Sequence, residues 1–280
     1  MADPLRAPAE LFCRSTLNFA SRSGEFVAAP EEIDILDGRT ADLPGWQDCG
    51  FELLSHASAA SGWNDDDELA AVHHGEMEEI ARQMTGCDVA LVSNHIKRGP
   101  EHAKLHEDLA PIAFVHSDFA AGYDTLVRRS YVEPEREGTL RALERNGVTG
   151  ADVVDASRLV ILQFWRNIGE PKMDFPLAFC DARTVVPADG HPIPVKDYAG
   201  SGIDFEALAL LAPTEVSPYR WFAFPELLDD EVVAFRTYDT ELVDNGDTWF
   251  TPHSAFRDQD VEVGHPARHS IELRAICLYR

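Results

Sequence analysis

Positive charge is what this sequence is shortest of: 24 Lys and Arg stand against 49 Asp and Glu, a formal net charge of -25 over 280 residues. Such a field repels phosphate backbones and anionic lipid, so neither nucleic acid nor a membrane is an expected partner. The acid is spread along the chain apart from 64–68 and 229–231, which reads as a solvated surface and not as an interaction tail. Long apolar runs are missing too. No stretch reaches the roughly 18 apolar residues of a membrane span, and Met1 to Glu10 lacks a basic region followed by an apolar core. The expected location is the cytoplasm. Cysteine is scarce and scattered: Cys13, Cys49, Cys87, Cys180 and Cys277 never form a C-x-x-C pair, which argues against a zinc knuckle or a disulfide framework and for core thiols. No internal repeat or low-complexity segment is present, and the sequence carries no signal for oligomeric state.

What is there suffices for one large domain over 1–280, since 45% of the residues are hydrophobic. Residues 11–36 read as extended pieces, Leu17–Phe19, Glu25–Ala28 and Ile33–Ile35, separated by Ser, Gly and Pro; 37–63 reads as loop around a short apolar piece, Phe51–Leu54. Asn64 or Asp65 is placed to cap a helix running to about Met84, with Leu69, Val72, Ile80 and Met84 on one face and Gly86 beyond its end. His73 and His74 sit side by side on it, about 100° apart around the axis, which suits no shared metal. Val89–Val92 reads as a buried strand leading into a basic loop, Asn94–Arg98, and His102 and His106 as surface residues. Residues 122–132 give no clear pattern, and Pro134–Asn146 reads as a helix stopped by Gly147. From residue 158 apolar runs recur at 159–165, 177–180, 219–224, 232–238, 249–256 and 270–279. An α-rich N-terminal part of about 1–110 and a many-stranded core of about 111–280 predict an α+β, mainly β fold, an antiparallel barrel or a double sheet such as a jelly roll.

The chemistry centres on Phe114–Phe119. Read as a strand, it projects His116 and Asp118 from one face about 7 Å apart. A second histidine would complete the two-histidine, one-carboxylate set that holds Fe(II) and leaves positions open. His253, in Thr251–Phe256, is the candidate. The H-x-D triplet alone is weak, because a chain with 11 histidines meets it by chance. Further on, Arg268 and Ser270 share a face, and a guanidinium beside a hydroxyl can hold a carboxylate, the anchor that a 2-oxo acid at a metal requires. Trp165, Phe222, Tyr238 and Trp249 are aromatic residues that could line a pocket, though core packing explains strand aromatics more often.

H-x-D, a distant His and R-x-S in this order resemble the non-haem iron, 2-oxoglutarate-dependent oxygenases and the related isopenicillin N synthase group. More closely, Phe164–Ile168, Phe175–Asp181, Arg236–Asp239, His253–Phe256 and Arg268–Arg274, with 85–98, resemble the cephalosporin 7-hydroxylase-like (CmcJ/NvfI) family of bacterial and fungal secondary-metabolism oxygenases. The likeness covers roughly 50–280. It implies a double-stranded β-helix (jelly roll, cupin-like), with His116, Asp118 and His253 as iron ligands and catalytic residues. It further implies Arg268 and Ser270 on the far carboxylate of 2-oxoglutarate, and Arg166 near the pocket. Ser117 stands where the family carries Asn, and strand alternation turns it away from the metal.

The expected activity is thus an Fe(II), 2-oxoglutarate and O2-dependent hydroxylation or desaturation of a small natural product or amino-acid-derived molecule. Three alternatives stay open: Arg268 and Ser270 holding the substrate's own carboxylate with no 2-oxoglutarate used, as in the isopenicillin N synthase type; a Zn or Mn hydrolase in which the metal activates water; and a binding protein that has lost the chemistry.

Overall fold

The computed structural model describes residues 9–23, 27–215, 218–262 and 264–280; expectations resting on Met1 to Pro8, Glu25 and Phe26 lie outside them. The strands are β1 (Leu11–Ala20), β2 (Ala28–Asp37), β3 (Phe51–Ser55), β4 (Val89–Arg98), β5 (His116–Ser117), β6 (Arg158–Asn167), β7 (Leu177–Cys180), β8 (Gly190–Val195), β9 (Phe205–Leu210), β10 (Trp221–Ala223), β11 (Glu231–Asp239), β12 (His253–Ala255) and β13 (Ser270–Tyr279). The helices are α1 (Trp46–Cys49), α2 (Asp66–Ala71), α3 (His73–Thr85), α4 (Pro100–Ala103), α5 (Tyr123–Val132), α6 (Glu137–Asn146), α7 (Gly150–Val154) and α8 (Thr240–Asn245).

Two sheets result. The larger runs β1-β2-β10-β7-β12-β5-β9-β8 and the smaller β3-β11-β6-β13-β4. Every pairing is antiparallel except β2 with β10. The large sheet curls on itself, since Ala20 at the end of β1 bridges Leu211 just past β9. This is the jelly roll, or double-stranded β-helix. The expectation of a separate α-rich N-terminal part is corrected: β1 to β4 supply strands to both sheets.

The central strands of the small sheet are buried on both faces, which is why β6 reads as an almost continuous apolar run and not as an alternation. Val160, Leu162 and Phe164 on its outer face pack with Met77 and Ala81 of α3. On the inner side Phe51, Phe179 and Phe235 form a ring stack, with centroids 5.5 and 5.1 Å apart, and Phe235 lies edge-on to His253 at 4.8 Å.

Other expectations are corrected in detail. The helix from 65 is two helices broken at Val72 (φ -107°, ψ -64°), although Asp65 caps its start by accepting from the Asp67 and Glu68 N–H groups and Gly86 ends it in a left-handed turn. Residues 94–98 are strand, paired with β13, because each cation finds a carboxylate: Lys97 meets Asp66 and Arg98 meets Glu272. Residues 123–132 are helical, and β8 was hidden by Pro192 and Pro194, which an edge strand tolerates.

Two positions carry testable consequences. Gly50 has φ +92°, and a Cβ there would fall on Thr251 Oγ1 just before β12, so Gly50→Ala is expected to cost about 2–3 kcal/mol. Urea denaturation of the variant checks this, and a loss below about 0.5 kcal/mol would contradict it. His73 and His74 are buried at the start of α3, and burial lowers their pKa values to about 4 and about 3. The unfolded chain therefore binds their protons first, at about 6.5, and stability present above that pH is lost as pH falls toward 4 and 3, by up to about 1.4 kcal/mol per pH unit for each. His74→Gln is expected to flatten the acid limb of a stability profile between pH 6.5 and 4. An unchanged slope would show that His74 is not held neutral.

Candidate metal centre

The two histidines that sequence separates by more than a hundred positions are ladder partners. His116 of β5 sits directly opposite His253 of β12, their rings 4.5 Å apart between centroids. Asp118, one residue past β5, brings Oδ1 to 3.8 Å from Nε2 of each. One ligand atom from each residue falls within 4.8 Å of the others, a spacing that fits a single ion, and among the described residues no other such group of three His, Cys, Asp or Glu occurs.

Hydrogen bonding fixes which atoms face the centre. His116 Nδ1 lies 2.7 Å from the Phe114 carbonyl, and His253 Nδ1 3.1 Å from that of Thr251. A carbonyl only accepts, so each Nδ1 carries the proton and each Nε2 presents a lone pair. Arg274 Nε and Nη2 donate to Asp118 Oδ2 at 3.0 and 2.9 Å, which leaves Oδ1 toward the histidines. Electrostatics agree with that assignment. Burial, with the His253 and Arg98 charges behind it, lowers His116 to about 4. Burial pushes Asp118 up, but Arg274 and then the two histidines outweigh it and hold the carboxyl at about 2. At neutral pH the pair offers a neutral imidazole and a carboxylate, the forms that bind a cation.

The recess over these residues is walled by Arg98, Gln163, Arg268 and Glu272, with Ile112 and Leu177. Glu272 accepts from Arg98 at 2.9 Å. Arg268 donates Nη1 to the Phe175 carbonyl at 2.8 Å and its guanidinium lies 5.7 Å from the Trp165 ring centre, yet its buried Nε has no partner. Burial, with Arg98 as the next cause, lowers it to about 9. Ser270 Oγ and Gln163 Oε1 are also buried without a partner. Orphaned polar atoms in this number are costly unless something fills them, and a carboxylate fits the guanidinium and hydroxyl.

Arg166 does not join them. It pairs with Ile271 in the ladder, one step out of phase with Gln163 and Trp165, and so occupies the outer face of the small sheet. There it donates to the His56 and Asp229 carbonyls and lies 5.3 Å from the Trp63 ring centre, so its expected place near the pocket, in a substrate or cosubstrate role, is corrected. His102 and His106 also lie elsewhere. Phe222 and Tyr238 are fully buried in the core, and Trp249 donates to the Phe119 carbonyl. Sequence reasoning missed Glu272, Arg274, Arg98 and Gln163. The signal was present: Arg268, Ser270, Glu272 and Arg274 continue one period-two face, and Gln163 is a polar break in an apolar run.

The model of the oxidoreductase/YMDC permease-like domain family (YDMC) matches residues 8–278. The chain is 33% identical over 127 residues to the Fe(II)/2-oxoglutarate-dependent dioxygenase nvfI of Aspergillus novofumigatus, an alignment spanning 44% of this chain and 43% of that protein. It is 24% identical over 255 residues to the alpha-ketoglutarate-dependent dioxygenase phiK of a fungal species, spanning 89% of this chain and 84% of that protein. A variant of the iron and alpha-ketoglutarate-dependent endoperoxidase NvfI superposes with a TM-score of 0.74 at 21% identity, covering 97% of this chain and 99% of that one, which establishes the likeness of fold.

Arg274 gives this centre its test. Arg274→Met frees Asp118 Oδ2 to rotate toward the ion, and Mn(II) affinity is expected to fall about 10- to 100-fold. Unaltered Mn(II) binding by electron paramagnetic resonance titration would show that the ion pair does not orient the carboxylate.

Proposed function

Because this chain belongs to the oxidoreductase/YMDC permease-like family, we propose that it is a non-haem Fe(II)- and 2-oxoglutarate-dependent oxygenase that hydroxylates or desaturates a small molecule of secondary metabolism. The observation that carries the reading is the meeting of His116, Asp118 and His253 beside an arginine Nε and a serine hydroxyl that are buried without a protein partner. The names of the relatives support the same cofactor set.

In this reading Nε2 of His116 and His253 and Oδ1 of Asp118 would hold the iron, and Arg268 with Ser270 would hold the far carboxylate of 2-oxoglutarate. Iron with 2-oxoglutarate and O2 would supply, when bound, the oxidising power for attack on a substrate C–H bond. The protein's part is placement. The Phe114 and Thr251 carbonyls hold the imidazole protons on Nδ1, away from the ion. Arg274 stops Asp118 from turning, and the Arg98 to Glu272 pair keeps the carboxylate of Glu272 off the metal and off the incoming anion. Phe179 and Phe235 close the floor under His253 against water.

Among the described residues no helix is long and apolar enough to cross a membrane. Five free thiols, four of them buried, support the reading that the protein works in a reducing compartment such as the cytoplasm.

The test is succinate release. It is expected to require both 2-oxoglutarate and oxygen, and to vanish with metal binding in His116→Ala and Asp118→Ala. Arg268→Ala is expected to weaken 2-oxoglutarate binding by roughly 2–5 kcal/mol, since it strands a buried carboxylate. Turnover without oxygen would replace this reading with a hydrolytic one. Turnover with oxygen but indifferent to 2-oxoglutarate would give Arg268 and Ser270 to the substrate instead.

A further inference from the structure

A second cavity adjoins the metal centre, with Leu91, Ile96, Phe119, Ile161, Ile203 and Phe205 among its walls. Two residues join it to the first. Phe119 follows Asp118 in the chain, and Arg274, which grips Asp118, lies with its guanidinium 5.5 Å from the Phe119 ring centre and lines the second cavity as well. On the oxygenase reading above, we propose that this cavity is the substrate chamber, and that it admits neutral, largely apolar ring molecules while refusing amino-acid-like zwitterions.

The two chambers divide the chemistry between them. The metal recess is walled by Arg98, Arg268, Glu272 and Gln163, which suits a small dianion and would strand an apolar body among charges. The second cavity reverses the balance. Phe119 and Tyr123 stack at 3.6 Å with Phe205 edge-on to Phe119 at 6.0 Å, a flat wall suited to a ring.

Charge sets the selection. Among the described residues Arg274 is the one charged residue lining this cavity, and no carboxylate lines it. An α-ammonium group would therefore meet a guanidinium and no counter-ion, a costly burial. A substrate carboxylate gains little either, because Arg274 already answers Asp118 at 2.9 Å and has Glu272 3.9 Å away. What Arg274 retains is Nη1, whose N–H groups have no partner among the described residues, and these suit a carbonyl or hydroxyl oxygen.

The roof ties the cavity to the metal centre. Tyr198 and Ile203 come from a loop in which Asp197 and Ala199 have φ +46° and +51°, a left-handed conformation that costs about 1–2 kcal/mol for each such residue. Besides the bonds within the loop and one from Arg136, two hydrogen bonds reach it from the Arg98 side. The Ala199 N–H donates to Asp108 Oδ2 at 2.8 Å, and Arg98 Nη2, the same nitrogen that binds Glu272, donates to the Tyr198 hydroxyl at 3.0 Å. Through Arg98 the roof is thereby tied to a wall of the metal recess.

The experiment loads the protein with Mn(II) and 2-oxoglutarate and titrates it with N-phenyl-1-naphthylamine, a neutral fluorophore that brightens in apolar sites. Binding is expected, with displacement by indole and none by L-tryptophan at about tenfold higher concentration. The half-buried Ile203 and Ile276 supply two independent variants, Ile203→Asp and Ile276→Trp, each expected to weaken the fluorophore by about tenfold or more with Mn(II) affinity unchanged. Absence of binding by the parent protein, unchanged affinity in both variants, or displacement by L-tryptophan as effective as by indole would overturn the proposal. Failure of the parent to bind Mn(II) or 2-oxoglutarate would instead overturn the oxygenase reading, so the two failures are distinguishable.

Discussion

The ion pair between Asp118 and Arg274 crosses the gap between the two sheets. Asp118 follows β5 in the large sheet and Arg274 belongs to β13 in the small one, so this contact fixes how the histidine-bearing wall faces the arginine-bearing wall. Neither partner is tolerable alone: an unpaired buried carboxylate or guanidinium costs several kcal/mol, in practice roughly 3–5 on removal of its partner. The same argument governs Arg98 with Glu272, which lie within one sheet on β4 and β13. Arg268 is the exception. It is buried, it has a carbonyl for one nitrogen and an aromatic face, and among the described residues its guanidinium has no carboxylate within hydrogen-bond distance.

Strand alternation makes this arrangement possible with few residues. On β13 every second side chain from Ser270 to Arg274 faces inward, while Ile271 and Leu273 between them are buried on the outer side. One strand therefore contributes a hydroxyl, a carboxylate and a guanidinium to the interior and two apolar residues to the outer layer. The metal histidines need even less. Because His116 and His253 face one another across a single ladder position, the register of two very short strands is enough to bring them together, and that register is held by neighbouring strands with larger interfaces.

That division explains what the sequence disclosed. The many-stranded fold was legible because apolar runs such as 159–165 survive any change of partner, and the His116 and Asp118 pair because it rests on local alternation, whereas His253 was joined to them by the family resemblance. Arg166 was misplaced because its phase along β6 was not compared with that of Gln163, three residues earlier and therefore on the other face. The helix break at Val72, the strand character of Asn94–Arg98 and the prolines of β8 depend on which carboxylate or edge lies opposite, a fact that only the tertiary arrangement supplies. The aromatic residues of the second cavity, Phe119, Tyr123 and Phe205, escaped for the same reason: they come from a loop, a helix and a strand that meet only in the fold.

Charge within the recess carries a further consequence for the proposed chemistry. Three arginines and two carboxylates leave one net positive charge among them at neutral pH. A divalent ion entering alone would raise that excess in a site already shielded from water, and a dianionic acid entering alone would reverse it. Entering together, they return the site to the charge it had when empty. Each ligand thus lowers the electrostatic cost of the other, and thermodynamic reciprocity requires the coupling to run equally in both directions. The buried guanidinium of Arg268 is the group that makes the acid's arrival favourable, and the depressed carboxyl of Asp118 is the group that does so for the ion. A neutral substrate in the adjoining chamber leaves that balance undisturbed, whereas a charged one would alter both affinities at once.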